Sequence, residues 1–227
     1  MKNKNRKGFT LIELLIVIAI IAVLSVVVIL SLNPAELLRQ ARDSNRISDM
    51  ATLKSAISLY LADVASPYLG AAATCYVGVA TSAANPFLDT PSNVGIWATS
   101  SPSSCANFFA VATSSIAATS TRTIGTVGST TGNGWVPVDF ANISSGAPIG
   151  QEPVDPINQV GTCVGTSSMV SLSSCGLYYG YAISTTNFKL TAVMESTKYT
   201  KGGGGDVETS DGGTNPYVYE GGTSPTL

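Results

Sequence analysis

The sequence predicts an α+β chain in which one long N-terminal helix, apolar at first and amphipathic later, packs on a small antiparallel sheet. Three observations predict it: an apolar run over residues 9–32, an apolar stripe at intervals of three and four along residues 47–64, and two strand-like segments around a short turn, residues 177–183 and 188–194.

The apolar run reads FTLIELLIVIAIIAVLSVVVILSL, broken only by Thr10, Glu13, Ser25 and Ser31. As a helix it spans about 36 Å at ~1.5 Å per residue, enough to cross the hydrocarbon core of a bilayer. Lys2, Lys4, Arg6 and Lys7 precede it. The positive-inside rule keeps that leader cytoplasmic and sends the rest of the chain outside. An ordinary secretory signal fits poorly, because the apolar segment exceeds the usual length of about 7–15 residues and no A-x-A-like site follows it. Glu13 stands out. A carboxylate in a spanning helix costs up to about 3 kcal/mol at the centre and less near the interface, whereas beside its own helix N-terminus it gains about 0.3–1 kcal/mol.

Asn33-Pro34 interrupts the run. Proline either bends a continuous helix there or starts a new one, with Asn33 as cap and Pro34 in the first turn. Beyond it, Ile47, Met50, Leu53, Ile57, Tyr60 and Val64 form the apolar stripe, and Arg39, Arg42, Asp43, Arg46 and Asp49 mark the polar surface. The stripe makes residues 33–64 a spine for the head that follows. Pro67 ends it.

Residues 65–227 form that head. Residues 65–134, rich in Ala, Ser and Thr, are an insertion with short strands at residues 74–79 and 94–99. Residues 135–140 are a short, aromatic-flanked strand. The segment 188–194 alternates Phe188, Leu190, Ala192 and Met194 with Lys189, Thr191, Val193 and Glu195, the pattern of a strand with one buried face. Glu152-Pro153-Val154-Asp155-Pro156 is an ordered turn. The Gly-rich end, from Lys201 onward, is flexible, with a last strand at residues 217–220.

Charge and chemistry exclude several functions. Charged residues are 11% of the chain, against about 25% in an average soluble domain. Beyond residue 65 nine acids face four basic residues, so the head repels phosphate and direct nucleic-acid binding is not expected. The chain has no histidine, and no G-x-S-x-G, Walker A or G-x-G-x-x-G pattern, so no enzymatic activity and no cofactor is expected. Asp206, Glu208 and Asp211 lie in a Gly-rich loop, but their spacing is not that of an EF-hand. They form a solvated acidic loop, and no metal is expected. Asn142-Ile143-Ser144 is a lone glycosylation sequon.

Cys75, Cys105, Cys163 and Cys175 all lie beyond the apolar run. An even count in the exported part points to two disulfides in an oxidising compartment. Three pairings are open, and Cys75–Cys105 with Cys163–Cys175 closes the shortest loops. Zinc is disfavoured without histidine or CxxC spacing.

The stretch Lys7-Gly8-Phe9-Thr10-Leu11-Ile12-Glu13-Leu14-Leu15 resembles the prepilin cleavage and methylation motif of type IV pilins and type II secretion pseudopilins. The resemblance is strongest over the first 30 residues. It extends with less specificity through ARDSNRISDMATLKSAISLYLAD to about residue 64. It implies a pilin-like fold and cleavage between Gly8 and Phe9 by a prepilin peptidase, with residues 1–8 as leader. It also implies methylation of the Phe9 amine and retention of residues 9–32 as a transmembrane helix that becomes a filament core. Glu13 then neutralises the N-terminal amine of an adjacent subunit. The implied partners are copies of the chain itself, the peptidase, and an assembly platform with its ATPase. The implied course runs from a single span of the cytoplasmic membrane to an extracellular pilus or cell-surface filament, or to a secretion pseudopilus. The Asp155-Pro156 turn resembles one in the G-type pseudopilin group. The last cysteine is followed by 52 residues, unlike the disulfide-closed C-terminal loop of major pilins.

Overall fold

The computed structural model describes residues 9–71, 74–78, 129–160, 176–183, 187–213 and 215–224. The expected strand at residues 94–99 and three cysteines, Cys105, Cys163 and Cys175, lie outside them, as does Gly8. The chain divides into two compact units, residues 1–39 and 40–227.

In the first unit, helix α1 spans Leu11–Leu32. Its Leu, Ile, Val and Ala side chains hold no glycine or proline among them, and nothing within it competes with the backbone ladder. Even Ser25 turns inward, its hydroxyl donating to the Ile21 carbonyl at 2.7 Å. Asn33 ends the helix in the left-handed conformation, φ 42°, which asparagine tolerates better than most residues. Helix α2, Pro34–Asp63, begins at once. The Asn33 carbonyl accepts from the Glu36 and Leu37 amides at 3.0 and 3.3 Å, and Pro34 sits where its missing N–H costs nothing. The proline therefore marks a restart rather than a kink.

The second unit carries the core. Met50, Leu53, Ala56, Ile57 and Tyr60 of α2 are buried, and Ile47 and Val64 are partly so, as the stripe predicts. They share a core with the aromatic faces of a four-stranded antiparallel sheet. Its strands are β1 (Thr74–Val77), β4 (Gly180–Ile183), β5 (Phe188–Ala192) and β6 (Tyr219–Gly222), in the order β1-β4-β5-β6. A separate two-stranded ladder joins β2 (Gln159–Val160) to β3 (Gly176–Leu177). The architecture is the expected α+β one, a long helix with a small antiparallel sheet.

The β4–β5 hairpin is as expected, with Ile183 opposite Phe188 and Gly180 opposite Thr191. Other details differ from the sequence reading. Residues 177–183 are not one strand; β3 stops at Leu177 and β4 starts at Gly180. Residues 135–140 are not a strand either. Pro137 supplies no N–H to a ladder, the Val136 amide is taken by the Glu152 side chain at 3.3 Å, and a 3-10 turn, Phe140–Asn142, follows. Trp135, Val136, Val138 and Phe140 are nonetheless all buried, so an irregular segment fills part of the core.

β5 is buried on both faces, with Lys189 and Thr191 as enclosed as their neighbours. The Gly-rich end is not a free tail. It folds through hydrogen-bonded turns, including Gly205 N to Lys198 O at 3.0 Å and Val207 N to Tyr199 O at 3.1 Å. It returns as the edge strand β6, two residues later than expected.

Candidate functional site

Two places concentrate polar chemistry: the start of α1, and a buried ion cluster on α2. At the first, Phe9 is 80% exposed and Thr10 caps the helix from an extended conformation. The Glu13 amide donates to Thr10 Oγ1 at 3.3 Å. In return Glu13 Oε2 accepts from the Thr10 amide at 2.8 Å and from the Thr10 hydroxyl at 2.7 Å. This is a capping box, in which two orphan donors of the first turn are satisfied reciprocally. The T-x-x-E spacing ahead of an apolar run is its signature in sequence. All three contacts use Oε2 or the threonine oxygen, so Glu13 Oε1 carries none of them. Among the described residues Glu13 has no ion-pair partner.

Downstream, residues 11–29 have a mean hydropathy of 3.3, and none of that window is buried. Every large side chain of the stretch is therefore offered outward. Such a surface is stable only when lipid or other protein covers it.

The chain carries the prokaryotic N-terminal methylation motif. The family model of that description matches residues 3–29, the leader signature of type IV pilin and pseudopilin precursors. No curated protein and no solved structure matches the chain. The prepilin-type leader and the apolar helix fit membrane anchoring.

The second place overturns a sequence expectation. The sequence pattern puts Asp43 and Arg46 on the polar surface of the spine, yet both side chains are fully buried. Arg46 binds Asp155 in a two-pronged contact, Nε to Oδ2 at 2.6 Å and Nη2 to Oδ1 at 3.0 Å. Its Nη1 donates to Asp43 at 2.7 Å and to Glu195 at 2.6 Å. Arg42 holds Glu195 by a second fork, at 2.8 and 2.7 Å. Asp43 also accepts the Ser196 amide at 2.8 Å. Burial works against the Arg46 charge, but Asp155, Glu195 and Asp43 outweigh it and hold the guanidinium above its ordinary range. Burial likewise raises Glu195, and Arg42 and Arg46 overcome it to keep the carboxyl below the usual range. Paired guanidinium–carboxylate forks of this kind set geometry strongly. They fasten α2 to the Asp155-Pro156 turn and to the residues just past β5.

Among the described residues, Glu152 and Glu208 are buried without a cation. Glu152, 1% exposed, accepts from the Val136 amide, and its Oε1 has no partner among the described residues. Burial pushes it up to about 8. Gly134 makes room for it, since a Cβ there would lie 2.2 Å from Glu152 Oε2. Glu208 accepts from the Lys201 amide at 2.9 Å and from the Met194 amide at 3.4 Å, and burial pushes it up to about 7.

The acidic loop is not wholly solvated, and its acids serve their own backbone. Asp206 accepts from Gly202, Thr209 and the Thr209 hydroxyl. Asp211 takes the Gly213 and Glu220 amides. Among the described residues no group of acids, cysteines or histidines is arranged to hold a metal ion.

Proposed function

We propose that the chain is the structural subunit of a type IV pilus-like extracellular filament. In this reading prepilin peptidase removes residues 1–8 by cutting between Gly8 and Phe9, and the new Phe9 amine is methylated. Residues 9–32 stay attached, cross the cytoplasmic membrane once with the head outside, and then leave the lipid to line the axis of a polymer.

The observation that carries it is the continuity of the matched motif with a helix that has no buried residue from Leu11 to Ile29. Burying one large apolar side chain gains about 1.5–3 kcal/mol. Some twenty of them leave lipid only when neighbouring helices replace it. Head-to-tail contacts that do not close into a ring supply such neighbours indefinitely.

Glu13 sets the register. Its Oε2 serves Thr10, and its Oε1 is left to meet the Phe9 amine of an adjacent subunit. Two unit charges at about 4 Å attract by about 4 kcal/mol at an effective dielectric of 20, before the desolvation of both is subtracted. The assembly platform and its ATPase act on the chain as for other prepilin-type subunits. Disulfides close the head in the oxidising space outside.

The same construction serves a pseudopilin of a type II secretion system. The buried Asp155 beside Pro156 favours that second reading, because the turn resembles one in the G-type pseudopilins.

The test is mass spectrometry of the mature chain with electron microscopy of the cell surface. The expected product starts at N-methylated Phe9 and lies in filaments. A chain beginning at Met1, or one cut beyond Leu32, overturns the processing. A correctly processed chain that stays monomeric in the membrane leaves a tethered binding protein instead. For Glu13→Ala, processing continues while filament yield falls, and unchanged assembly refutes the register role.

A further inference from the structure

Lys189 on β5 and Glu220 on β6 face each other inside the head. Thr191 pairs with Glu220 and Lys189 with Gly222, so Lys189 and Glu220 are diagonal neighbours on one face of the ladder, within reach for long side chains. Both side chains have no solvent exposure, and Lys189 Nζ lies against Glu220 Oε1. Apart from Lys189, that oxygen has no hydrogen-bond partner among the described residues, while Oε2 is held by the Asn215 amide at 2.8 Å. A Cβ at Gly213 would lie 1.8 Å from Glu220 Oε2, so only bare backbone admits the carboxyl at that point. Asp211 Oδ2 accepts the Glu220 amide at 2.5 Å, and its charge acts on both partners.

We propose that Lys189 and Glu220 are joined by an intramolecular isopeptide bond that closes β6 covalently onto β5. A buried ion pair carries the desolvation of two charges, which mutual attraction repays only in part, and condensation removes both. Burial lowers the Lys189 ammonium and raises the Glu220 carboxyl, each toward its neutral form. Those neutral forms, amine and carboxylic acid, are the reactive ones.

The neutral Lys189 nitrogen attacks Glu220 Cδ, and a C–N bond forms. The carboxyl C–OH bond breaks and the hydroxyl leaves as water, taking the proton that the nitrogen sheds. The charge of Asp211 favours the positive charge that develops on the nitrogen during the attack. Nothing is oxidised or reduced, and the products are one amide and one water.

The test uses the full chain, recovered folded from membranes in detergent, then unfolded, reduced, alkylated and digested with trypsin. The expected result is a branched peptide. Cleavage after Lys189 is absent, and the segment ending at Lys198 is joined to the segment beginning at Gly202, lighter by one water than the two apart. Lys189→Arg yields only linear peptides, and Asp211→Asn lowers the linked fraction. A wild-type digest cleaved normally after Lys189 with no branched peptide overturns the proposal. A branch lighter by one ammonia, made through Asn215, overturns the assignment to Glu220.

Discussion

Replacing Glu152 by Gln removes a carboxyl that the head keeps protonated. An ordinary glutamate titrates near 4.5, and burial pushes this one up to about 8. Above pH 4.5 the unfolded chain releases the proton while the folded chain retains it, so stability falls as pH rises and stops falling near pH 8. At pH 7 the accumulated penalty is about 3 kcal/mol, at 1.36 kcal/mol for each pH unit between the two titrations. Glutamine keeps the shape and the neutral state. The variant should match the wild type at pH 4–5 and exceed it by about 3 kcal/mol at pH 7. Urea unfolding of the chain in detergent, followed by the fluorescence of buried Trp135, measures this. Trp135 is well placed as a reporter, because its indole donates to the Pro153 carbonyl, one residue from Glu152. Glu208, pushed up to about 7, tilts both curves equally and drops out of the difference. Parallel curves for the two proteins across pH 5–8 would refute the reasoning.

Other substitutions probe neighbouring features. Arg46→Met leaves Asp43 and Asp155 buried without their cation, and unfolding free energy should fall by about 3–5 kcal/mol; an unchanged midpoint in urea would contradict it. Gly134→Ala drives a methyl into Glu152 and should cost about 1–3 kcal/mol. In a Glu152→Ala background most of that cost should vanish in a double-mutant cycle, and an additive result would place the strain elsewhere.

The parts of the molecule that composition alone dictates were the legible ones. Twenty-four residues with four polar interruptions need lipid or other protein to cover them, and the leader motif adds the chemistry of its first turn. The spine was legible because Met50, Leu53, Ile57 and Tyr60 repeat at helical spacing. Arg46 was not, since a charge on the flank of a helix looks the same whether water or distant carboxylates will meet it. Its partners Asp155 and Glu195 lie 109 and 149 residues away, beyond any local pattern. Residues 135–140 misled for a related reason. Their aromatic and branched side chains are strand-like, but Pro137 and the claim of Glu152 on Val136 decide the backbone. The Gly-rich end looked loose because its order comes from Asp206, Glu208 and Asp211 bonding to nearby amides, a use of acids that composition does not distinguish from solvation.

Strand β6 has a consequence for synthesis. Residues 219–222 are the last piece of the four-stranded sheet to leave the ribosome, long after the apolar helix has emerged. A chain arrested between Ala192 and Tyr219 carries β5 as a bare edge and Lys189 as a cation with no Glu220 to meet it. Open edges recruit foreign strands, so unfinished copies are marked for aggregation or proteolysis.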